Sequence, residues 1–233
     1  MKPLLIFDYD GTIHNTIGIY EPAFREVYKE IADKGYCRFE DIPTKRIKGW
    51  LGMNSKDMWN DFMPQLPEKI KEESGAKVGK LMVRQIKEHK AVWYEGAKEV
   101  LTQLKEEGYL MIILSNCKIA YKKANWEEFS MDQWFLEFYD CETYQFAPKT
   151  KIIQHIKEKY QMESVVIGDR NSDLECARSG NSLFIGCEYG FGKENELAKA
   201  DLLASNIKKI PDLIKNYPVR VVSKDKKYNR INP

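Results

Sequence analysis

The sequence has no uninterrupted apolar run long enough to cross a membrane as a helix, which takes about 18 residues. Its first apolar run, residues 4–7, comes at the very start of the chain and is too short for the hydrophobic region of a secretion signal. We therefore expect a cytoplasmic protein that has no membrane partner.

Cysteine is scarce and scattered. The five cysteines form no C-x-x-C pair, and no pair of histidines lies near enough in the sequence to complete a zinc site. We interpret them as reduced thiols that are buried or incidental, and we expect no fold that depends on disulfides.

An excess of charge of one sign is also missing. The 37 Lys and Arg residues nearly balance the 35 Asp and Glu residues, and the net charge is +2. Nucleic-acid binding requires a clustered excess of basic residues, so we expect no nucleic-acid partner. Only the tail, residues 216–233, is locally basic, and a solvated terminus is the favoured interpretation of it.

The composition is that of a globular protein, with 43% hydrophobic and 31% charged residues in a chain of 233. Amphipathic segments predict helices over 96–107 and over 151–160, the latter with Thr150 as its N-cap. Between the helices lie short apolar runs typical of strands buried on both faces of a parallel sheet: 4–7, 110–114, 165–167 and 183–185. This alternation predicts an α/β fold whose core is a doubly wound, Rossmann-like parallel sheet.

One long segment, residues 17–89, interrupts the alternation with helical periodicity and no convincing strand. We predict an inserted α-helical domain over 17–89 and a core domain formed by residues 1–16 and 90–215. Core packing is the favoured interpretation of the large apolar side chains of the insert: Trp50, Met53, Met58, Trp59, Phe62 and Met63.

Polar residues follow several of the predicted strands. In open parallel sheets, ligands bind beyond the carboxyl ends of the strands, so we expect these residues to meet at one edge. They are Asp8, Asp10 and Thr12 after the first run, Ser115 and Asn116 after the second, Lys149 before a later helix, and Asp169 and Asp173 after the third run.

Carboxylates dominate this set. Asp8 and Asp10 are two positions apart, so on an extended chain their side chains project to the same side. Asp169 adds a third carboxylate, and no His or Cys accompanies it. Three hard oxygen donors predict a Mg²⁺ site, whereas residues that merely face water or cap helices would explain only a single aspartate.

Four motifs of the chain resemble, in the same order, those of the haloacid dehalogenase-like phosphatases. They are Phe7-Asp8-Tyr9-Asp10-Gly11-Thr12, Ser115-Asn116, Lys149, and Gly168-Asp169-x-x-x-Asp173. The resemblance extends from Leu4 to about Ile214, and its first motif is the most specific. The helical insert looks like the first cap type of the family. The layout, including Tyr189-Gly190-Phe191-Gly192, is similar to that of the phosphoglycolate phosphatase branch.

This resemblance implies roles for the three principal aspartates. Asp8 would attack phosphorus and form an aspartyl-phosphate. Asp10 would protonate the leaving group and then accept a proton from the attacking water. The carboxylates of Asp8 and Asp169 and the carbonyl of Asp10 would hold Mg²⁺.

The same resemblance implies a phosphate-binding set. The Ser115 hydroxyl and the Asn116 backbone N–H would bind phosphoryl oxygens, Thr12 would belong to the same set, and Lys149 would add a positive charge. Lys151 is the rival of Lys149, but the preceding proline and the spacing to the fourth motif favour Lys149.

Three further residues are assigned less directly: two have alternative roles, and one is expected to be structural. Asp173 would either contribute to the metal site by orienting a metal-bound water or serve the N-terminus of the following helix. Arg170, where relatives often have a small hydroxyl residue, would bind a substrate anion or pair with a local acid. His14 follows a first motif that lacks the usual acid, and a structural role in the hinge is favoured.

Residues of the insert are expected to select the substrate, because the core motifs contact only the phosphoryl group that all substrates share. Trp50, Met53 or Trp59 is expected near the cleft, with Asn54 or Lys56 as a polar contributor. Trp50 and Asn54 are our assigned substrate-binding residues of the insert.

The resulting hypothesis is a Mg²⁺-dependent phosphatase that hydrolyses a small phosphorylated metabolite, phosphoglycolate-like by resemblance, through an aspartyl-phosphate. A sugar phosphomutase of the β-phosphoglucomutase type and a non-enzymatic, receiver-like phosphorylation domain are the alternatives. Dehalogenation is disfavoured, because it would leave Asp10 without a leaving group to protonate. Monomer and homodimer both remain open.

Overall fold

The computed structural model of the chain describes residues 2–216. The predicted basic tail therefore lies outside the described residues, apart from Asn216. Within residues 2–216 no helix combines the length and the apolar character that crossing a membrane would need.

The core is one sheet of six parallel strands in the order β3-β2-β1-β4-β5-β6. The strands are β1 (Leu4–Phe7), β2 (Met111–Ser115), β3 (Glu137–Asp140), β4 (Ser164–Gly168), β5 (Leu183–Cys187) and β6 (Leu202–Ala204). The strand order reverses direction at β1, which lies between β2 and β4. The predicted doubly wound, Rossmann-like α/β class is confirmed, and its ligand crevice is expected at this reversal.

Helices cover both faces of the sheet. They are α1 (Ile17–Asp33), α2 (Thr44–Lys48), α3 (Ser55–Phe62), α4 (Glu68–Lys87), α5 (Ala97–Glu106), α6 (Ile119–Glu128), α7 (Lys149–Tyr160), α8 (Asn171–Ser179), α9 (Glu194–Leu197) and α10 (Ile210–Asn216). Leu5 and Phe7 of β1 pack on the side of α5, α6 and α10, whereas Leu4 and Ile6 pack on the side of α7 and α8. This burial on both faces explains why β1 reads as a continuous apolar run.

Helices α1 to α4, which we call the helical module, pack around an apolar cluster of their own. Phe24 of α1 lies at its centre and contacts the rings of Trp50, Trp59 and Phe62. The two segments that join the module to the sheet pair with each other: Asn15 N–H donates to the Val92 carbonyl at 3.0 Å, and Tyr94 N–H donates to the Ile13 carbonyl at 2.9 Å.

Several predicted elements differ from the structure. The strand predicted over 110–114 begins one residue later, because Leu110 is 40% exposed and precedes the buried part of the run. Helix α7 begins at Lys149, so Thr150 is not its N-cap. The extended Pro148, with φ −66° and ψ 153°, occupies that position, since its ring suits the entry to a helix but not its interior. Strands β3 and β6 were not predicted.

Candidate active site

Three aspartates meet where the strand order reverses. Asp8 follows β1, Asp169 follows β4, and Asp173 lies in the first turn of α8. Because β1 and β4 are paired neighbours, Asp8 and Asp169 leave the sheet side by side. All three residues are buried, and each offers a carboxylate oxygen within 4.8 Å of the other two. The structure thus brings Asp8 and Asp169 together as predicted, but the third carboxylate beside them belongs to Asp173 and not to Asp10.

The carboxylate of Asp169 is fixed by main-chain donors. Its Oδ2 accepts hydrogen bonds from the N–H of Phe191 at 2.6 Å and of Gly192 at 3.2 Å. Its Oδ1 is buried and has no hydrogen-bond partner in the described part of the chain. A buried oxygen with no donor, beside two further carboxylates, fits a divalent cation that prefers hard oxygen ligands.

Burial and mutual repulsion disfavour the ionised carboxylates. Burial, followed by the charge of Asp173, raises the pKa of Asp8 well above its usual range. The same two causes raise the pKa of Asp169 to about 7. A bound cation would reverse this effect by stabilising both anions.

Lys149 supplies the positive charge of the cluster. It is the first residue of α7 and is buried, and its Nζ lies 2.5 Å from Asp8 Oδ1 and 2.6 Å from Asp173 Oδ1. Burial alone would lower the pKa of Lys149, but the charges of Asp173 and Asp8 raise it above its usual value. The rival, Lys151, has an exposed side chain.

Asp173 has two contacts. Besides the ion pair with Lys149, its Oδ2 accepts a hydrogen bond from the Arg170 N–H at 3.0 Å, which caps the N-terminus of α8. Asp173 therefore caps α8 and also lies beside the carboxylates of Asp8 and Asp169.

Asp10 is half-buried within a polar network. Its Oδ1 accepts hydrogen bonds from the Thr16 hydroxyl at 2.5 Å and the Tyr121 hydroxyl at 2.6 Å. The Nδ1 of His14 lies 3.4 Å from the same oxygen and 2.8 Å from the Tyr121 hydroxyl. Burial opposes ionisation, but the hydrogen bonds from His14, Thr16 and Tyr121 hold the pKa of Asp10 below its usual value.

Of the residues around Asp10, the sequence analysis singled out His14 but not Tyr121. His14 is fully buried and stacks on Tyr9, as a structural hinge residue would. Tyr121 was missed, because a tyrosine on an amphipathic helix reads as core, and the contact spans 111 positions of the sequence.

The loop after β1 turns sharply at Gly11, which has φ +85°. A Cβ at this position would lie 2.3 Å from Asp169 Oδ2, so the loop needs glycine both for its conformation and for the close approach. The next residue, Thr12, is fully buried, and its carbonyl accepts a hydrogen bond from the Tyr189 hydroxyl at 2.8 Å.

Ser115 and Asn116 lie at the end of β2, the other neighbour of β1. Ser115 is buried, and its Oγ accepts a hydrogen bond from the Cys117 N–H at 3.3 Å. Asn116 is exposed. Both residues therefore leave the sheet on the same edge as Asp8.

The structure does not bring Arg170, Trp50 or Asn54 to the aspartates as substrate-binding side chains. Arg170 pairs with Glu196, as the second of its two readings anticipated. Trp50 is buried in the core of the module and donates a hydrogen bond from Nε1 to Asp61. Asn54 uses its side chain to cap α3, because its carbonyl oxygen accepts the N–H of Asp57 at 2.9 Å.

Of the other module residues expected near the cleft, Trp59 is fully buried in the module core, whereas Met53 and Lys56 are exposed. Lys56 and Ser55 line a cavity of about 240 Å³, and Lys118 of the core, three residues after Ser115, lines it as well. This cavity joins the module to the loop that follows β2.

Comparisons with known proteins agree with this geometry. The sequence profile of a family described as haloacid dehalogenase-like hydrolase matches residues 5–187. A curated relative, the phosphoglycolate phosphatase of Mannheimia succiniciproducens, is 21% identical over 210 residues, which cover 84% of this chain and 89% of that protein.

Solved structures share the fold. A protein of Haemophilus somnus described as a predicted phosphoglycolate phosphatase superposes with a TM-score of 0.75 at 18% identity, covering 91% of this chain and 97% of its own. CbbY from Rhodobacter sphaeroides, solved in complex with phosphate, superposes with a TM-score of 0.72 at 18% identity, covering 90% and 96%.

The profile match covers most of the chain, so the chain belongs to the haloacid dehalogenase-like hydrolase family. The family that the four motifs predicted is therefore confirmed, and so is the expectation of a hydrolytic enzyme. Its similarity to the phosphoglycolate phosphatase branch is confirmed as well, through the curated relative.

Proposed function

We propose that this enzyme is a Mg²⁺-dependent phosphoric monoester hydrolase that acts on a small phosphorylated metabolite through an aspartyl-phosphate on Asp8. The observation that carries the proposal is the buried cluster of Asp8, Asp169 and Asp173 with Lys149 at the switch point of the sheet. A nucleophilic carboxylate beside a fixed ammonium and a cation site is suited to an anionic phosphoryl group.

Asp8 attacks phosphorus and displaces the alkoxide of the substrate, so the P–O bond to the leaving group breaks as the P–O bond to Asp8 forms. Asp10, once protonated, gives its proton to the departing oxygen and then, as the carboxylate, takes one from the water that hydrolyses the aspartyl-phosphate. Thr16 and Tyr121 fix the Asp10 carboxylate through their hydrogen bonds. Two moderate barriers replace one high barrier.

The carboxylates of Asp8 and Asp169 and the carbonyl of Asp10 would hold Mg²⁺, with Asp173 next to them. The ion, when bound, neutralises the repulsion between Asp8 and the phosphoryl oxygens. Lys149 keeps Asp8 oriented and adds positive charge at the same place, while Ser115 and the Asn116 N–H, together with Thr12, bind the phosphoryl oxygens.

The helical module, residues 17–89, acts as a cap over a core of residues 1–16 and 90–215. A cap over the carboxyl ends of the strands restricts access to Asp8, which favours a small metabolite over a phosphoprotein. The phosphoglycolate phosphatase among the relatives makes 2-phosphoglycolate the first substrate to test.

The test measures net release of inorganic phosphate from a panel of small phosphate esters that includes 2-phosphoglycolate, with Mg²⁺ or with EDTA. We expect release only with Mg²⁺. Asp8→Asn keeps the side-chain volume but removes the nucleophile, and activity should fall at least about 10⁴-fold. The matched control is Asp132→Asn. It makes the same change at an exposed aspartate outside the four motifs, and the variant should retain full activity.

The contradicting outcomes are specific. Activity that survives exhaustive chelation would refute the Mg²⁺ assignment. A folded Asp8→Asn enzyme with a tenth of the normal rate would refute the nucleophile. Isomerised sugar phosphate without net phosphate release would identify a phosphomutase, and a single stoichiometric phosphorylation without turnover would identify a receiver-like domain.

A further inference from the structure

Arg170 connects the aspartate cluster with the helical module. Its backbone follows Asp169, and its side chain reaches α9 and the module. Nε donates a hydrogen bond to Glu196 Oε2 at 2.9 Å, and the guanidinium also donates to the main-chain carbonyl of Leu51, in the loop between α2 and α3. One side chain therefore joins α9, the module and the loop that carries Asp169.

The loop of the module is shaped to receive this guanidinium. Gly52, the residue after Leu51, has φ +85°, a conformation that side chains disfavour. A Cβ on Gly52 would lie 2.9 Å from Arg170 Nη1, closer than real Cβ contacts allow. The left-handed turn thus favours glycine at this position, and the guanidinium of Arg170 lies close against it.

A second connection runs beside the first. Phe191 packs against the apolar cluster of the module, and its N–H is one of the two donors that hold Asp169 Oδ2. The contacts of Arg170 and Phe191 together mean that the position of the module and the position of Asp169 depend on the same loops.

We propose that Arg170 is a positioning residue that fastens the α2–α3 loop of the module to the core, with Glu196 holding the guanidinium in place; this rests on the proposed cap function of the module. Arg170 and Glu196 are each only 18% exposed, so their ion pair is partly shielded from water. Loss of hydrogen bonds to a charged group of this kind changes an equilibrium about 10- to 100-fold.

The competing assignment is that Arg170 binds an anion of the substrate. The two assignments differ in what Glu196 does. If Arg170 fastens the loop, removing the Glu196 charge loosens the loop even without substrate. If Arg170 binds substrate, removing Glu196 frees the guanidinium and leaves the substrate-free loop unchanged.

The experiment is hydrogen–deuterium exchange of the substrate-free protein, read at the amides of residues 50–56. Arg170→Met removes the donors and keeps an unbranched side chain, and we expect exchange to rise about 10- to 100-fold. Glu196→Gln should raise it in the same direction by a smaller factor. The control is Arg178→Met, because Arg178 lies on α8 and pairs with Asp201 instead; exchange at 50–56 should not change.

A second measurement is the steady-state kinetics of the variants with the best substrate of the panel. We expect Arg170→Met to raise KM and lower kcat together, and Glu196→Gln to do the same more weakly. A rise in KM for Arg170→Met alone, with exchange at 50–56 unchanged in both variants, would overturn the proposal and support substrate binding. If Arg170→Met fails to fold, unchanged exchange in Glu196→Gln overturns the proposal by itself.

The exchange measurement needs no substrate and no metal. A wild-type enzyme without phosphatase activity would therefore refute the proposed function while the exchange of residues 50–56 still decides the role of Arg170.

Discussion

Three carboxylates and one ammonium share a buried space at the end of β1. With Asp8, Asp169 and Asp173 ionised, Lys149 offsets one negative charge of three, and the remainder is held in an environment that disfavours charge. The raised pKa values of Asp8 and Asp169 express this cost. A divalent cation matches the uncompensated charge, which is the physical reason for assigning a metal to these residues.

Asp10 has a different environment, in which donors surround the carboxylate. We predict that Tyr121→Phe lowers kcat about 10-fold for an alkyl phosphate, since general acid–base catalysis by Asp10 is worth about 10²–10⁴ and one of its positioning hydrogen bonds is lost. The effect on p-nitrophenyl phosphate should be smaller, because its leaving group needs no proton. The comparison of kcat for the two esters is the measurement.

Tyr36→Phe is the matched control for this prediction, because Tyr36 is 42% exposed and should tolerate the change with both rates intact. An equal loss on both esters in Tyr121→Phe would mean that the hydroxyl supports the fold of the site rather than the proton transfer.

Several predicted residues of the site lie at strand ends, because a strand end fixes the edge at which the neighbouring residues lie. Asp8 and Asp169 directly follow strands, and Ser115 is the last residue of β2. The contacts of Tyr121, Glu196 and Phe191 were not predictable in this way. They depend on how a helix or a loop packs onto the sheet, which is decided by contacts far apart in the sequence.

At the scale of elements, the loop between β1 and α1 depends on the glycine at its turn, Gly11. We predict that Gly11→Ala destabilises the protein by at least about 1–2 kcal/mol, the cost of a left-handed residue with a Cβ, and abolishes activity because the added atom displaces Asp169. Urea denaturation and phosphate release are the measurements.

Gly18→Ala is the control. Gly18 is an exposed glycine within α1, and a Cβ there meets no atom within 4 Å. Alanine favours a helix by up to about 1 kcal/mol over glycine, so this variant should be as stable as the wild type or more stable. Equal destabilisation by both substitutions would show that Gly11 has no special requirement.

The central strands were predictable and the edge strands were not. Strands β1, β2, β4 and β5 are buried on both faces, so burial leaves a continuous apolar run in each sequence. Of the edge strands, β3 lacks such a run, and β6 is an apolar run that is mostly not buried. Strand β3 begins and ends with acidic residues, and β6 has only three residues, of which one is buried.

At the scale of the whole molecule, the buried carboxylates make stability depend on pH. The pKa of Asp169 is about 7 in the folded protein, against about 4 for an ordinary aspartate. Between these values the folded state binds more protons than the unfolded state. The free energy of unfolding of the metal-free protein should therefore fall as the pH rises from about 4 to 7.

Urea denaturation with EDTA at pH 5 and at pH 8 measures this effect, and Asp169→Asn is the matched variant. We expect a higher free energy of unfolding at pH 5 in the wild type, a smaller difference in Asp169→Asn, and a greater stabilisation by Mg²⁺ at pH 8. Identical pH dependence in the two proteins would contradict the assignment of a raised pKa to Asp169.

The central claim is that Asp8 carries the phosphoryl group during the reaction. The most direct measurement is mass-spectrometric peptide mapping of the Asp10→Asn variant after incubation with acetyl phosphate and Mg²⁺ and an acid quench. Hydrolysis of the intermediate should be slowed by about 10²–10⁴ in this variant, because the attacking water lacks its base. We predict a phosphoryl group on Asp8 that is absent from the Asp8→Asn, Asp10→Asn double variant. A phosphoryl group on another residue, or none while Asp10→Asn still turns over, would contradict the account.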